Sequence, residues 1–198
     1  MTRLILIRHG ATKWTKQKRY QGKTDIPLSD GGKQQAKKLA VKLKKEKIDI
    51  AYASKLKRAI QTAEEIIRLH KIRLIKEEKL NERTYGDWEG LTIGEVKKKY
   101  PEDYNAYKKD RYKTRPTNGE SFFDLRKKIE PFIKQAISEN KNKAILIVSH
   151  NGPLRVIVGI LMGYTDEEIT SLYFKPTSIT ILNNNNGKFS IEIMNSND

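Results

Sequence analysis

Two short apolar runs, each closing on a histidine, constrain this chain more than any other feature. They are Leu4-Ile5-Leu6-Ile7-Arg8-His9-Gly10 and Ala144-Ile145-Leu146-Ile147-Val148-Ser149-His150-Asn151-Gly152. Four or five consecutive aliphatics read as a strand buried on both faces, the condition of strands inside a parallel sheet. Open α/β folds bind ligands beyond the carboxyl ends of such strands. Two of the three histidines are therefore delivered to one edge, from strands about 140 residues apart, with Arg8 beside the first. One strand-end histidine is commonly a hydrogen-bonded structural group; two together with an arginine point to a site.

The 198 residues suffice for one α/β domain with a substantial core and a small lid. At 37% hydrophobic and 32% charged residues, the composition is that of a soluble globular protein. No apolar stretch approaches a membrane span, and Arg3 followed by four aliphatics is no signal-peptide core, so a cytoplasmic location and no membrane partner are expected. The absence of cysteine excludes disulfides, thiolate metal sites and a thiol nucleophile. The net charge of +16 favours anionic partners. Its lysines, among them Lys33, Lys37, Lys38, Lys42, Lys44, Lys45 and the Lys97-Lys98-Lys99 run, fall largely on outer helix faces. They read as surface chemistry, and no nucleic-acid partner is expected.

Along the chain, residues 3–8 form a strand, and Ser29 caps a helix over about 30–45 with Ala36, Leu39, Ala40 and Leu43 inward. A strand at 48–53 and a helix at 57–70 follow, with His70 an exposed cation at the helix end. Residues 72–75 suggest a short strand. Beyond Leu80 the periodicity weakens and Tyr, Lys and Glu dominate; Thr92 and Glu95 make a capping box for a short helix that Pro101 ends. A second box, Ser121 with Asp124, opens a helix that Pro131 should kink or divide. Strand 144–149, a helix with Pro153 in its first turn reaching about Met162, and two alternating strands around Asn183–Gly187 complete the pattern. The fold expected is a three-layer α/β/α sandwich. Its central sheet is mostly parallel with helices on both faces, in a single domain over 1–198 with a lid inserted at about 81–120.

The same topology brings other polar residues to the histidines. Arg58 falls in the first turn of the helix after the second strand, where a guanidinium fork and a helix N-terminus both suit phosphate. Glu82 and Arg83 open the lid and overhang the pocket. This group lacks the acidic ligands of a Mg²⁺ site and the His₃ or His₂-Glu spacing of a Zn²⁺ site, so no metal is expected. It suits metal-free phosphoryl transfer, in which an imidazole attacks phosphorus, cations neutralise the oxygens and a carboxylic acid protonates the departing oxygen.

These residues carry a resemblance to the histidine phosphatase superfamily, which contains the phosphoglycerate mutases. It runs from Leu6-Ile7-Arg8-His9-Gly10-Ala11-Thr12 through Gln21-Gly22 and the stretch from Ser54 to Ala63. It continues in Leu80-Asn81-Glu82-Arg83, Gly86-Asp87-Trp88-Glu89-Gly90, Asn118-Gly119-Glu120-Ser121 and Val148-Ser149-His150. The resemblance implies that His9 is the nucleophile that becomes phosphorylated. It implies that Arg8, Arg58 and His150 bind the phosphoryl oxygens and that Glu82 is the proton donor, with a pKa raised by partial burial. Thr15, Gln21, Gly22, Arg83, Tyr85 and Asn151 are its implied substrate contacts. Two positions depart from the family pattern: Thr15 stands where many members have Asn, and Asn151-Gly152-Pro153 where mutases have Gly-Asn-Ser.

Family mutases resemble one another in a Tyr-Gly-Gly-Leu-Gln-Gly segment, a following lysine, a lid arginine pair and a longer tail. This chain has Tyr85-Gly86-Asp87-Trp88-Glu89-Gly90, Ile93 at the lysine position and Lys108-Lys109-Asp110-Arg111 at the pair, which looks like the phosphatase branch. The expectation is a metal-independent phosphomonoester hydrolase without a cofactor, acting on a phosphorylated small molecule as monomer or homodimer. The alternatives are a mutase dependent on 2,3-bisphosphoglycerate, and a basic nucleic-acid-binding protein without catalysis. Lys108, Lys109, Arg111 and Arg115 are candidates to meet a second anionic group.

Overall fold

The computed structural model describes residues 1–197. Its elements, in chain order, begin with β1 (Thr2–Arg8), α1 (Lys13–Lys16), α2 (Asp30–Leu43), β2 (Ile50–Ser54), α3 (Lys57–Ile67) and β3 (Leu74–Glu77). After two 3₁₀ turns, Glu78–Leu80 and Gly86–Trp88, come α4 (Ile93–Lys99), α5 (Pro101–Lys109) and α6 (Phe122–Glu139). The chain continues with β4 (Ala144–Ser149), α7 (Asn151–Met162), α8 (Asp166–Ser171), β5 (Ile179–Asn185) and β6 (Lys188–Ser196). The sheet order is β3-β2-β4-β1-β5-β6; the first four strands run parallel, β5 pairs antiparallel with β1, and β6 antiparallel with β5.

Alternation along the central strands builds the three layers. Leu4, Leu6, Ile145 and Ile147 face a core completed by Leu125, Ile129 and Ile133 of α6 and by Leu154 and Val158 of α7. Their neighbours Ile5, Ile7, Leu146 and Val148 face the opposite core, against Leu39 and Leu43 of α2 and Ala59, Ala63 and Ile66 of α3. Both faces of these strands are dry, which is why the sequence shows unbroken aliphatic runs. A third cluster, Trp88, Val96 and Tyr107 with Tyr20, Tyr85, Leu91, Tyr100 and Tyr104 packed around it, holds together the residues after Leu80.

Most boundaries follow local chemistry. Ser29 Oγ accepts the Gly32 N–H at 3.1 Å to start α2. The Thr92/Glu95 and Ser121/Asp124 boxes both form, and Gly163, at φ 70°, ends α7 in the left-handed conformation. The β5–β6 connection shrinks to Asn186 and Gly187, both at positive φ, so the strands run further into the asparagine tract than its composition suggests.

The structure corrects three expectations and extends a fourth. Pro131 does not divide α6, which runs unbroken through it; Pro131 and Lys127 both lie on the exposed face, where water can take the freed Lys127 carbonyl. Pro101 not only stops α4 but opens α5 at its first position. The helix expected to reach residue 70 ends at Ile67. His70 is half-buried, with Nδ1 2.9 Å from the Ile66 carbonyl oxygen and Nε2 3.0 Å from that of Leu43, joining the ends of α3 and α2. The short helices α1 and α8 escaped the sequence reading because neither is long enough to show a period.

Candidate active site

The pairing of β1 with β4 sets the site. These parallel neighbours are in register as Arg8 opposite Ser149, and the His9 N–H donates to the Ser149 carbonyl at 3.0 Å. The residues that leave the two strands are therefore side by side, and the His9 and His150 ring centroids lie 4.9 Å apart. Both rings are buried. His150 is also the N-cap residue of α7, so the amide end of that helix opens onto the same space.

Hydrogen bonds fix both tautomers. His9 Nδ1 lies 2.7 Å from the Gly10 carbonyl oxygen, so that nitrogen carries the proton and Nε2 keeps its lone pair. Arg58 Nε donates to His150 Nδ1 at 3.1 Å, because a guanidinium offers only donors. The other nitrogen, Nε2–H, therefore donates to Ser54 Oγ at 2.7 Å, and the Ser54 hydroxyl in turn donates to Asn81 Oδ1 at 2.8 Å. Burial first, then Arg58 and Arg8, hold the His9 pKa well below 6.5. His150 is lowered likewise by burial, Arg58, His9 and Arg8. Both imidazoles are neutral at neutral pH.

This charge state has a measurable consequence for stability. Below about pH 6.5 the unfolded chain protonates both histidines while the folded chain resists, so the unfolded state binds more protons and stability falls as pH drops. The slope reaches about 1.4 kcal/mol per pH unit for each histidine. Urea-unfolding free energies at pH 7.5 and 5.5 measure it, and a His9→Asn/His150→Asn double variant should flatten the trend. An equally steep slope in that variant refutes the assignment.

The cations stand around the rings. Arg58 is fully buried; beyond His150 it donates Nη1–H to the Thr24 carbonyl at 2.9 Å and Nη2–H to that of Gly22 at 2.7 Å. Burial pushes its pKa down to about 10, against the pull of Glu82, Asp25 and Glu89. Arg8 is half-buried, donates from Nη1 to the Phe174 carbonyl at 2.5 Å, and has a buried Nε without a partner among the described residues. Glu82 is buried, and two main-chain N–H groups reach it at 3.2 Å: Gly152 to Oε2 and Arg83 to Oε1. It is delivered by the 3₁₀ turn after β3. Asn81 anchors that turn through Ser54 and the Lys55 N–H, and Ser149 Oγ donates to the Leu80 carbonyl at 2.7 Å.

His9, His150, Arg8, Arg58 and Glu82 thus converge on one sheet edge. The remaining candidates divide. Thr15, Gln21 and Thr12 bond one another: Gln21 Nε2 donates to Thr15 Oγ1 at 3.0 Å and the Thr12 hydroxyl to Gln21 Oε1 at 3.0 Å. Gly22 sits at φ 53°, and a Cβ there would lie 1.9 Å from Glu89 Oε1, so the position is reserved for glycine. Asn151 Oδ1 accepts the Phe174 N–H at 2.9 Å. Tyr85 is half-buried against Tyr20, ring centroids 4.7 Å apart, and burial raises its phenol pKa.

Arg83 is fully buried and turned into the following segment. It donates to the Glu120 carbonyl at 2.5 Å and to Tyr107 Oη at 2.7 Å, with its guanidinium over the rings of Tyr85 and Phe122. Arg115 is held by Asp124 through two bonds of 2.6 Å.

Sequence reasoning assigned no chemistry to Ser54, Asn81 or Glu89. Glu89 accepts from the N–H groups of Lys23, Thr24 and Tyr85 and from the hydroxyls of Thr24 and Thr84. Burial raises its pKa, but these bonds prevail and hold it below the usual carboxylate value. It pins the loop whose carbonyls orient Arg58. Only its place in the Gly-Asp-Trp-Glu-Gly block hinted at this.

No group of three or more His, Cys, Asp or Glu side chains suited to a metal ion occurs among the described residues, nor does a helix long and apolar enough to cross a membrane.

Comparison with known proteins gives the arrangement a context. The model of the histidine phosphatase superfamily (branch 1) matches residues 4–197. The chain is similar to phosphoserine phosphatase 1 of Hydrogenobacter thermophilus, 37% identical over 163 residues, which is 82% of this chain and 77% of that protein. It is also similar to a 2,3-bisphosphoglycerate-dependent phosphoglycerate mutase of Bartonella henselae, 36% identical over 175 residues and 85% of each chain. Among solved structures, a putative alpha-ribazole-5'-P phosphatase of Escherichia coli superposes with a TM-score of 0.91 at 30% identity, over 98% of this chain and 96% of the other.

Proposed function

Because this chain belongs to the histidine phosphatase superfamily, we propose that it hydrolyses phosphomonoesters of small metabolites, without a metal, through a phosphohistidine on His9. The observation that carries this reading is a neutral imidazole with Nδ1 tied to its own chain and Nε2 free, set between Arg8 and Arg58. Nε2 attacks phosphorus as the P–O bond breaks; Arg8, Arg58 and the N-terminus of α7 neutralise the oxygens; Glu82 gives its proton to the departing alkoxide. In the second step Glu82 takes a proton from water, the water oxygen bonds phosphorus and the P–N bond breaks. Inorganic phosphate leaves and His9 returns to its starting form. Two step-wise displacements replace one by unactivated water. Both nitrogens of His150 are engaged, so its part is to orient Arg58 rather than to donate to the phosphoryl group.

Rapid-quench mass spectrometry with p-nitrophenyl phosphate in EDTA tests the reading: an acid-labile phosphoryl adduct on His9 and continued phosphate release are expected. No adduct under turnover refutes it. Glu82→Gln should slow alkyl phosphates by roughly 10²- to 10⁴-fold and p-nitrophenyl phosphate far less, because nitrophenolate departs without a proton; equal losses on both remove Glu82 from the acid role.

A second reading, phosphoglycerate mutase, is favoured by the likeness to the Bartonella henselae enzyme. It requires isomerisation to outrun phosphate release and to depend on 2,3-bisphosphoglycerate. Phosphoserine phosphatase 1 and the ribazole-phosphate enzyme favour hydrolysis.

A further inference from the structure

Asn195 lies half-buried in the edge strand β6, almost the whole chain away from His9 in sequence. Between the pairs Ile179–Ser196 and Ile181–Ile193, β6 carries one residue more than β5, a bulge of the kind that re-aims side chains. Asn195 sits in that bulge at φ 53°, a left-handed conformation that asparagine adopts more readily than most residues. Its N–H donates to Thr180 Oγ1 at 3.0 Å.

The bulge turns the Asn195 amide onto the segment that follows α8. Asn195 Oδ1 accepts the Lys175 N–H at 2.8 Å, and Nδ2 donates to the Tyr173 carbonyl at 2.8 Å. One side chain thus grips both peptide groups that flank Phe174. The opposite ends of the same two groups meet residues of the active site. The Phe174 N–H donates to Oδ1 of Asn151, the first residue of α7, at 2.9 Å, and the Phe174 carbonyl accepts Arg8 Nη1 at 2.5 Å. A peptide group is a rigid trans plane, so whatever holds its N–H also sets the direction of its C=O. By holding the Lys175 N–H, Asn195 aims the Phe174 carbonyl at Arg8.

The rest of the mount is fixed. The Phe174 ring is buried in the core with α6 and α7. The Thr177 N–H donates to the Arg8 carbonyl at 2.9 Å, and Thr177 is held at φ 56°, a strained conformation for a β-branched residue. Arg8 Nε has no partner among the described residues, so the Phe174 carbonyl, with the Tyr173 ring 5.4 Å from the guanidinium, does the orienting.

We propose that Asn195 is a positioning residue for Arg8, acting through the 173–175 segment, so that the terminal strand sets the geometry of a phosphoryl-binding cation. This rests on the phosphatase reading, in which Arg8 neutralises phosphoryl oxygens. The task needs an amide, which offers one acceptor and one donor in a single side chain. Aspartate supplies two acceptors and sets one of them against the Tyr173 carbonyl. Glycine keeps the left-handed backbone and loses both bonds.

Asn195→Gly and Asn195→Asp should each lower kcat/KM for p-nitrophenyl phosphate by roughly ten- to a hundredfold, the scale of displacing a catalytic group by about an ångström. Inhibition by orthovanadate, which mimics the transferring phosphoryl group, should weaken alongside. Glu192→Gln, which removes the ion pair with Arg3 on the same strand, should leave both unchanged. The decisive measurement combines Asn195→Gly with Arg8→Ala. In that background the loss of Asn195 should cost less than about twofold, whereas general damage to the fold multiplies with the loss of Arg8. Losses that multiply, or Asn195 variants with wild-type kcat/KM, overturn the proposal. Urea unfolding accompanies every variant, and Asn195→Asp replaces Asn195→Gly in the cycle if the latter does not fold. If Arg8→Ala releases too little phosphate to measure, the orthovanadate inhibition constant of Asn195→Gly decides: a weaker one supports the proposal and an unchanged one overturns it. The His9 adduct separates the two ideas: adduct with multiplying losses defeats this proposal only, and no adduct in the wild type defeats the phosphatase reading.

Discussion

His9→Ala should reduce phosphate release by about 10⁴-fold or more and abolish the phosphoryl adduct, since removal of a covalent nucleophile leaves only binding and charge stabilisation. The magnitude follows from the geometry. Nδ1–H is held by the Gly10 carbonyl, so the lone pair on Nε2 has a fixed direction. The neighbouring imidazole cannot substitute, because His150 Nδ1 already accepts from Arg58. His9→Asn tests whether shape without nucleophilicity suffices and should be as inactive. Activity within tenfold of the parent in either variant defeats the mechanism.

The second large effect belongs to Arg58. It holds three acceptors at once, the buried His150 Nδ1 and Gly22 carbonyl and the half-buried Thr24 carbonyl. Arg58→Ala should cost on the order of 10³ in kcat, the scale of losing a preorganised donor at developing charge. Arg58→Lys should recover less than tenfold, because an ammonium cannot face three fixed acceptors in different directions as a planar fork does. Both variants should also lose stability, since each unfilled buried acceptor costs about 1–3 kcal/mol. Steady-state kinetics and urea unfolding read the two quantities separately. Full activity in Arg58→Lys leaves charge alone as its contribution.

The central sheet and the five converging residues were legible in the sequence for a physical reason. The β1 and β4 strands are dry on both faces, so their aliphatic runs carry an unambiguous signal, and whatever follows them reaches the same edge. Arg58 was placed by counting into the first turn of a helix after a strand. What stayed hidden depends on contacts between segments far apart in sequence. Glu89 reads as one more surface acid until the loop at 22–24 folds onto it. Arg83 reads as an overhanging cation, yet its guanidinium points into the aromatic cluster. Arg155 sits in an apolar helix between Leu154 and Val156, and no periodicity reveals that its buried Nε lacks a partner among the described residues. The shortest helices escaped because six residues or fewer cannot display a repeat.

The register between β1 and β4 also bears on how the molecule is made. Pairing the first strand with one that starts at residue 144 requires a long loop to close, an entropic burden that slows assembly. During synthesis, Arg8 and His9 emerge long before Ser149 and His150, and β1 waits for both β4 and β5. The two imidazoles, contributed from opposite ends of the polypeptide, can therefore meet only after its last quarter has been made.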